Sequence, residues 1–185
     1  ELGEIEVKSG REDEAGESFQ KSVDTWNQHP TPPPLLHAAS LNNLAQHQRR
    51  LRHFDAASTL FEQAAGLFDE TRADHRREFA AILGNYAGFE AETGHYPRAV
   101  AIYRRAVEAS RASGGEDSLD LALLRLEFAN LRRAQGHYVE AVDLYQRAMP
   151  VLAHALDPTD ARIRQSETDY KRCLKEAQAH VVMLK

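Results

Sequence analysis

The chain repeats itself every 42 residues, and that register limits what it can fold into more than any other feature. Phe54, Tyr96 and Tyr138 stand one period apart, and so do Ala57, Ala99 and Ala141. Phe61, Tyr103 and Tyr145 keep the interval, as do Ala64, Ala106 and Ala148, and Ala45, Ala87 and Ala129. The histidines His53, His95 and His137 fall in step with them. Ala15 and Phe19 carry the register one period further back, so the chain opens part-way through an earlier copy. A unit this short cannot bury an apolar face alone and must stack on its neighbours.

Within a copy the spacing predicts two helices. Ala99, Tyr103 and Ala106 form one stripe of a 3.6-residue helix, and Leu83, Tyr86, Ala87 and Glu90 mark the helix before it. Between them stands Thr93-Gly94-His95-Tyr96-Pro97, with glycine suited to the left-handed position after a helix and proline to the first turn of the next. Gly136 repeats the turn and Gly10 fills its column in the first copy, whereas Arg52 occupies it in the second at a cost in turn stability. Helices are predicted over 12–27, 35–51, 55–70, 76–93, 97–113, 118–135, 139–156 and 159–182. The run His29-Pro30-Thr31-Pro32-Pro33-Pro34 reads as a stiff inter-hairpin loop, and Asp117 or Ser118 as a cap for the following helix. In 159–182, Ile163, Tyr170, Leu174 and Ala177 make one apolar stripe with charge elsewhere, which suits an end helix.

Composition excludes several function classes. At 185 residues, with 42% hydrophobic residues, the chain can build a core, yet no apolar run approaches the ~20 residues a bilayer requires. The formal charge of −5 sits in residues 1–24, with eight acids against three bases, and there is no basic tract to hold nucleic acid. The single Cys173 precludes an intramolecular disulfide and fits a reducing, cytoplasmic setting. The start at Glu1, without methionine or signal segment, reads as an excised fragment. Cys173 and His180 lie two helical turns apart, about 10 Å, too far for a nucleophile–base dyad. The turn histidines sit on separate copies about 10 Å apart and cannot share an ion at ~2 Å bonds. No metal or phosphate motif is present, and Glu12-Asp13-Glu14 reads as a solvated helix start. No cofactor, metal or catalytic role is expected.

These columns resemble tetratricopeptide repeats. Leu44-Ala45, Tyr86-Ala87 and Phe128-Ala129 match the pair in that family's first helix, and Leu2-Gly3 matches it one period earlier. The turn glycine and the Ala-x-x-x-Phe/Tyr-x-x-Ala of the second helix follow. The eight residues beyond the usual ~34 resemble the kinesin-light-chain type, as does Leu41-Asn42-Asn43-Leu44-Ala45. The resemblance implies an all-α, right-handed superhelix of antiparallel helix pairs. A partial repeat at 1–27 would precede repeats at 35–70, 76–113 and 118–156, with a capping helix at 159–182. Arg125 departs from the pattern by replacing an apolar residue, and the usual proline after the second helix is missing.

The resemblance also implies which residues line the concave groove. These are Ala39, Asn42, Asn43, Gln46, Arg49 and Arg50 in one copy, and Ala81, Gly84, Asn85, Gly88, Ala91 and Glu92 in the next. Leu123, Leu126, Glu127, Asn130, Arg133 and Ala134 follow. A carboxylate clamp of the chaperone-binding kind is absent, because Asn42, Leu123 and Glu127 occupy its basic columns. Asn42, Asn43, Gln46, Asn85 and Asn130 instead place carboxamides along the groove, able to pair with the backbone of an extended peptide. Gly84 and Gly88 leave one face bare, so a recess is expected there, walled by Leu123 and Leu126 and rimmed by Arg49 and Arg133. The expected function is a module that binds a partner peptide or helix in the groove, without nucleic acid or membrane and with self-association left open. The alternative is a regulatory or sensor segment of a larger signalling protein, its groove filled by its own chain or a signal peptide.

Overall fold

The computed structural model describes residues 12–68 and 75–183. Leu2, Gly3 and Gly10 lie outside the described residues. Those described form α1 (Glu12–Gln28), α2 (Pro34–Arg50), α3 (Phe54–Gly66), α4 (Arg76–Glu92), α5 (Tyr96–Gly114), α6 (Leu119–Ala134), α7 (Tyr138–Ala155) and α8 (Ala161–Met183), with no strand among them. The chain divides into two compact units, Glu1–Ala99 and Val100–Lys185. In the first, α2 packs on α1 and α3, and α4 packs on α3 and α2. In the second, α7 packs on α6 and α8, and α8 also reaches α6.

Three turns with the same hydrogen bonds set the pairing of the helices. The His95 N–H donates to the Glu90 carbonyl at 2.8 Å and that of Gly94 to Ala91 at 3.2 Å. His53 bonds to Gln48, Arg52 to Arg49, His137 to Arg132 and Gly136 to Arg133 in the same way. This closure needs a left-handed residue after the helix, and the φ values are 85° at Gly94, 78° at Gly136 and 60° at Arg52. Arg52 is the one non-glycine residue with positive φ among the described residues. Its Cβ costs roughly 1 kcal/mol in that conformation. Arg52→Gly is therefore expected to raise stability by about 1 kcal/mol, read from a denaturant melt; a lower midpoint would show that the arginine side chain outweighs its backbone cost.

The core is a series of aromatic pairs in register. Phe61 stacks on Tyr86 with ring centroids 5.6 Å apart, Tyr103 on Phe128 at 5.4 Å, and Tyr145 tilts against Tyr170 at 6.0 Å. The second and third pairs repeat the first at intervals of 42, so the register continues into α8. There, however, exposed Arg164 and Lys171 replace the buried Ala122 and Ala129 of the preceding copy. The helix thus buries Ile163 and Cys173 and turns charge outward.

Local chemistry moves two helix ends from their predicted positions. α3 stops at Gly66 and not at residue 70, with a glycine as its last residue. α8 begins at Ala161 because Asp157 takes the Thr159 N–H at 2.8 Å and Asp160 takes that of Arg162 at 2.8 Å. Ser118 does cap α6, its hydroxyl accepting from the Leu121 N–H at 3.2 Å.

Two polar side chains replace apolar ones in the core columns. Arg125 takes the place held by Leu41 and Leu83 and is only 2% exposed. Its guanidinium donates to the Glu116 carbonyl at 3.3 Å and to the Glu116 carboxylate, which ties the loop before α6 to the interior. His47 takes the place of Phe89 and Leu131, packed 5.9 Å from the Phe19 ring. A Cβ on Gly16 would stand 2.5 Å from His47 Nε2, so the glycine is what lets α1 close on the imidazole.

Candidate functional site

In the first unit, the first helices of successive pairs, α2 and α4, carry the expected amides side by side. Asn85 Nδ2 donates to Asn42 Oδ1 at 3.0 Å, and Asn42 Nδ2 donates to Asn43 Oδ1 at 3.4 Å. All three side chains are half-buried. One helical turn or two further on, Arg49 Nε meets Glu92 Oε2 at 2.5 Å, and its Nη1 donates to Gln46 Oε1 at 3.3 Å. The three asparagines thus form one polar chain, and Gln46, Arg49 and Glu92 form a second on the same two helices. Arg49, expected as a basic rim, has its charge balanced by Glu92. Gly84 is buried and Gly88 half-buried on α4 beside Asn85.

In the second unit Leu126 is buried, Leu123 half-buried and Asn130 exposed. Asn130 Oδ1 accepts from the hydroxyl of the fully buried Tyr145, and burial pushes that phenol up to about 12. Arg133, the other expected rim residue, reaches α8, with Nη2 3.7 Å from Asp169 Oδ1 and Nη1 3.6 Å from Glu176 Oε2. The Arg133–Glu176 pair repeats Arg49–Glu92 two periods on. The residues expected to form the recess divide between the units, Arg49, Gly84 and Gly88 in the first and Leu123, Leu126 and Arg133 in the second.

A polar cluster escaped the sequence reading. Glu90 on α4 is fully buried, with Oε2 2.9 Å from His95 Nδ1 and Oε1 3.6 Å from Arg98 Nη1. Arg98 also binds Glu62 and lies 5.3 Å from the centre of the Tyr86 ring. Its guanidinium holds the Glu62 carboxyl below its ordinary range. The next hairpin carries the same pair with charges exchanged, Arg132 Nη2 lying 2.5 Å from Glu140 Oε2. The available signal was the opposite charge in two columns at once: Glu90 against Arg132, and Arg98 against Glu140.

The reactive groups are placed for structure. Cys173 is buried with Sγ 3.7 Å from the Tyr138 carbonyl oxygen, and burial raises its thiol pKa. The His180 side chain lies outside the described residues. Gln48 Oε1 lies 2.8 Å from His53 Nδ1, just as Glu90 engages His95 in the next copy, so these turn histidines tie the turns to their preceding helices. Among the described residues no three His, Cys, Asp or Glu side chains converge on an ion-sized site. No described helix is long and apolar enough to cross a membrane.

The sequence pattern of the tetratricopeptide repeat matches residues 1–70 and 78–153. The chain belongs to the tetratricopeptide repeat family. Such repeats generally act as protein-interaction modules, and the solved tetratricopeptide structures similar to this chain place its fold in the same helical-repeat class. BtubC (BKLC) from P. vanneervenii aligns over 96% of this chain and 70% of its own, with a TM-score of 0.84 at 19% identity. The nearly identical kinesin-light-chain TPR-like repeats from Podosopora anserina align over 96% of this chain and 84% of theirs, with a TM-score of 0.74 at 18% identity. MamA aligns over 98% and 97% with a TM-score of 0.57 at 12% identity. At these identities the likeness is one of fold. No curated protein matches the chain.

Proposed function

We propose that this tetratricopeptide array holds an extended peptide of a partner protein on the face formed by its first helices, through side-chain amides that read the peptide backbone. The observation that carries this reading is the Asn85–Asn42–Asn43 chain across α2 and α4. A carboxamide has two donor hydrogens and an acceptor oxygen, so Asn42 and Asn85, bonded to each other through one hydrogen and one oxygen, have the chemistry to engage a peptide backbone as well. The half-buried setting and the hydrogen bonds among the amides hold these side chains in place before a ligand arrives, which lowers the entropic cost of binding. Gln46, Gly84 and Gly88 complete the proposed surface, the glycines allowing close backbone approach.

The test is selection of peptides from a random displayed library on the wild-type chain, followed by affinity measurement on Asn43→Ala/Asn85→Ala. Binding is expected to weaken by ~1–3 kcal/mol, about ten- to a hundredfold, as the peptide loses partners for buried polar groups. The melting temperature should move little, since alanine is a good helix former at part-exposed positions. Peptides that bind both proteins equally would place the ligand on another surface.

A further inference from the structure

The outward face of α8 and that of α1 carry matched charge patterns of opposite sign. On α8, Arg164, Thr168, Lys171 and Lys175 are all exposed and fall at spacings of four, three and four, one stripe opposite the face that buries Ile163 and Cys173. On α1, Asp13, Glu17, Gln20 and Asp24 fall at the same spacings, are likewise exposed, and lie away from the buried Ala15, Phe19 and Val23. Three cations on one stripe thus meet the positions of three anions on the other, with a polar residue filling the fourth place in each. The α1 stripe borders an open depression that also takes in Lys21 of α1 and Leu44 and Gln48 of α2, where the anions Glu17 and Asp24 outnumber the single lysine.

We infer that α8 of one copy docks on α1 of a second copy, so that the chain associates head to tail through these two stripes. The charge already present near α8 supports the polarity. Of its acids, Asp169 and Glu176 face Arg133 on the other side of the helix, and Glu167 engages Lys171 at 3.8 Å, which leaves a net positive outer face. Residues 1–24 hold most of the anionic excess of the chain, with eight acids and three bases. A single helix stripe against another covers less than the roughly 1,200–2,000 Å² of a stable complex. The association is therefore weak, reversible and screened by salt. Because the two surfaces differ, the contact is heterologous and can continue from copy to copy.

Sedimentation equilibrium of the 185-residue chain tests this. In low salt the average mass is expected to rise above 20.8 kDa with concentration, and to return to the monomer in 1 M salt, where the Debye length is about 3 Å. Lys171→Glu/Lys175→Glu makes both ends acidic, and Asp13→Lys/Asp24→Lys makes both ends basic. Each variant alone should stay monomeric with an unchanged melt, because all four positions are exposed. A mixture of the two should recover the association. A wild-type chain that is monomeric in low salt at every concentration overturns the inference, as does an association that survives the reversals. Two folded variants that fail to associate when mixed overturn it too, and would assign these faces to a different protein.

Discussion

Removing residues 159–185 is expected to leave a chain that aggregates or melts without a cooperative transition. The deletion takes away α8 and with it the cover over the last helix pair. Tyr145, fully buried, loses the Tyr170 ring, and Arg133 loses both of its acidic neighbours while remaining on α6. Ile163, Cys173 and the surfaces they meet all leave the core. Each large apolar side chain returned to water costs about 1.5–3 kcal/mol, against a total stability of about 5–15 kcal/mol for an ordinary domain. A few such losses at one end therefore consume most of the margin, and a repeat array transmits the defect inward because each copy is stabilised by the next. Light scattering and a thermal melt of the truncated chain measure the outcome. A soluble product with an unchanged midpoint would deny α8 its capping role.

The next largest effect is expected at Arg125, and its sign depends on what replaces the arginine. Leucine restores the residue found at Leu41 and Leu83 in the same column and removes the desolvation of a guanidinium that is only 2% exposed. Arg125→Leu should match or exceed the wild type by up to about 2 kcal/mol, as replacing a buried charge with a packed apolar group often does. Arg125→Ala should lose about 3 kcal/mol, because it leaves a cavity. Glu116→Gln should destabilise the wild type more than the Arg125→Leu background, where only the exposed Arg111–Glu116 pair is left to lose, and the difference measures the Arg125–Glu116 interaction. The pair also sets a pH dependence. Arg125 lowers the Glu116 pKa from its usual 4.5, so its contribution is complete above that value and is lost as the pH falls through the lowered one. In Arg125→Leu that acid limb should flatten. A leucine variant markedly less stable than the wild type would show that the loop tether outweighs the desolvation.

What the sequence makes legible here is whatever recurs. The left-handed turn residues, the alanine columns and the aromatic of each second helix stand in three copies. Their geometry follows from helix periodicity and turn chemistry alone, and even the misfit of Arg52 could be read from its neighbours Gly94 and Gly136. The pairs that bind one copy to another are harder to see. Asn42 and Asn85 are one residue more than a period apart, so reading down columns places each on the groove without showing that they bond to each other. The same offset hides Arg49–Glu92, which turns an expected cationic rim into a balanced pair. Residues unique to one copy were the least legible. Arg125 registered as a departure, but its solution, a carboxylate and a carbonyl from the loop before its own helix, depends on a contact that periodicity does not encode. Gly16 is explained by the imidazole it admits, and a glycine inside a helix announces no such neighbour.

The exchanged charges of Glu90–Arg98 and Arg132–Glu140 bear on how such a gene can be rearranged. A crossover between two copies that falls in the tight turn would join α4 to α7 or α6 to α5, setting Glu90 against Glu140 or Arg132 against Arg98. Two like charges would then share each hairpin, and in the first case one of them is the buried Glu90 carboxylate. A crossover in the loops between hairpins keeps both of these pairs intact, although it can part Arg98 from Glu62. Whole hairpins are thus the heritable unit of this array, and shuffling half of one is penalised by electrostatics even though every apolar column would still align.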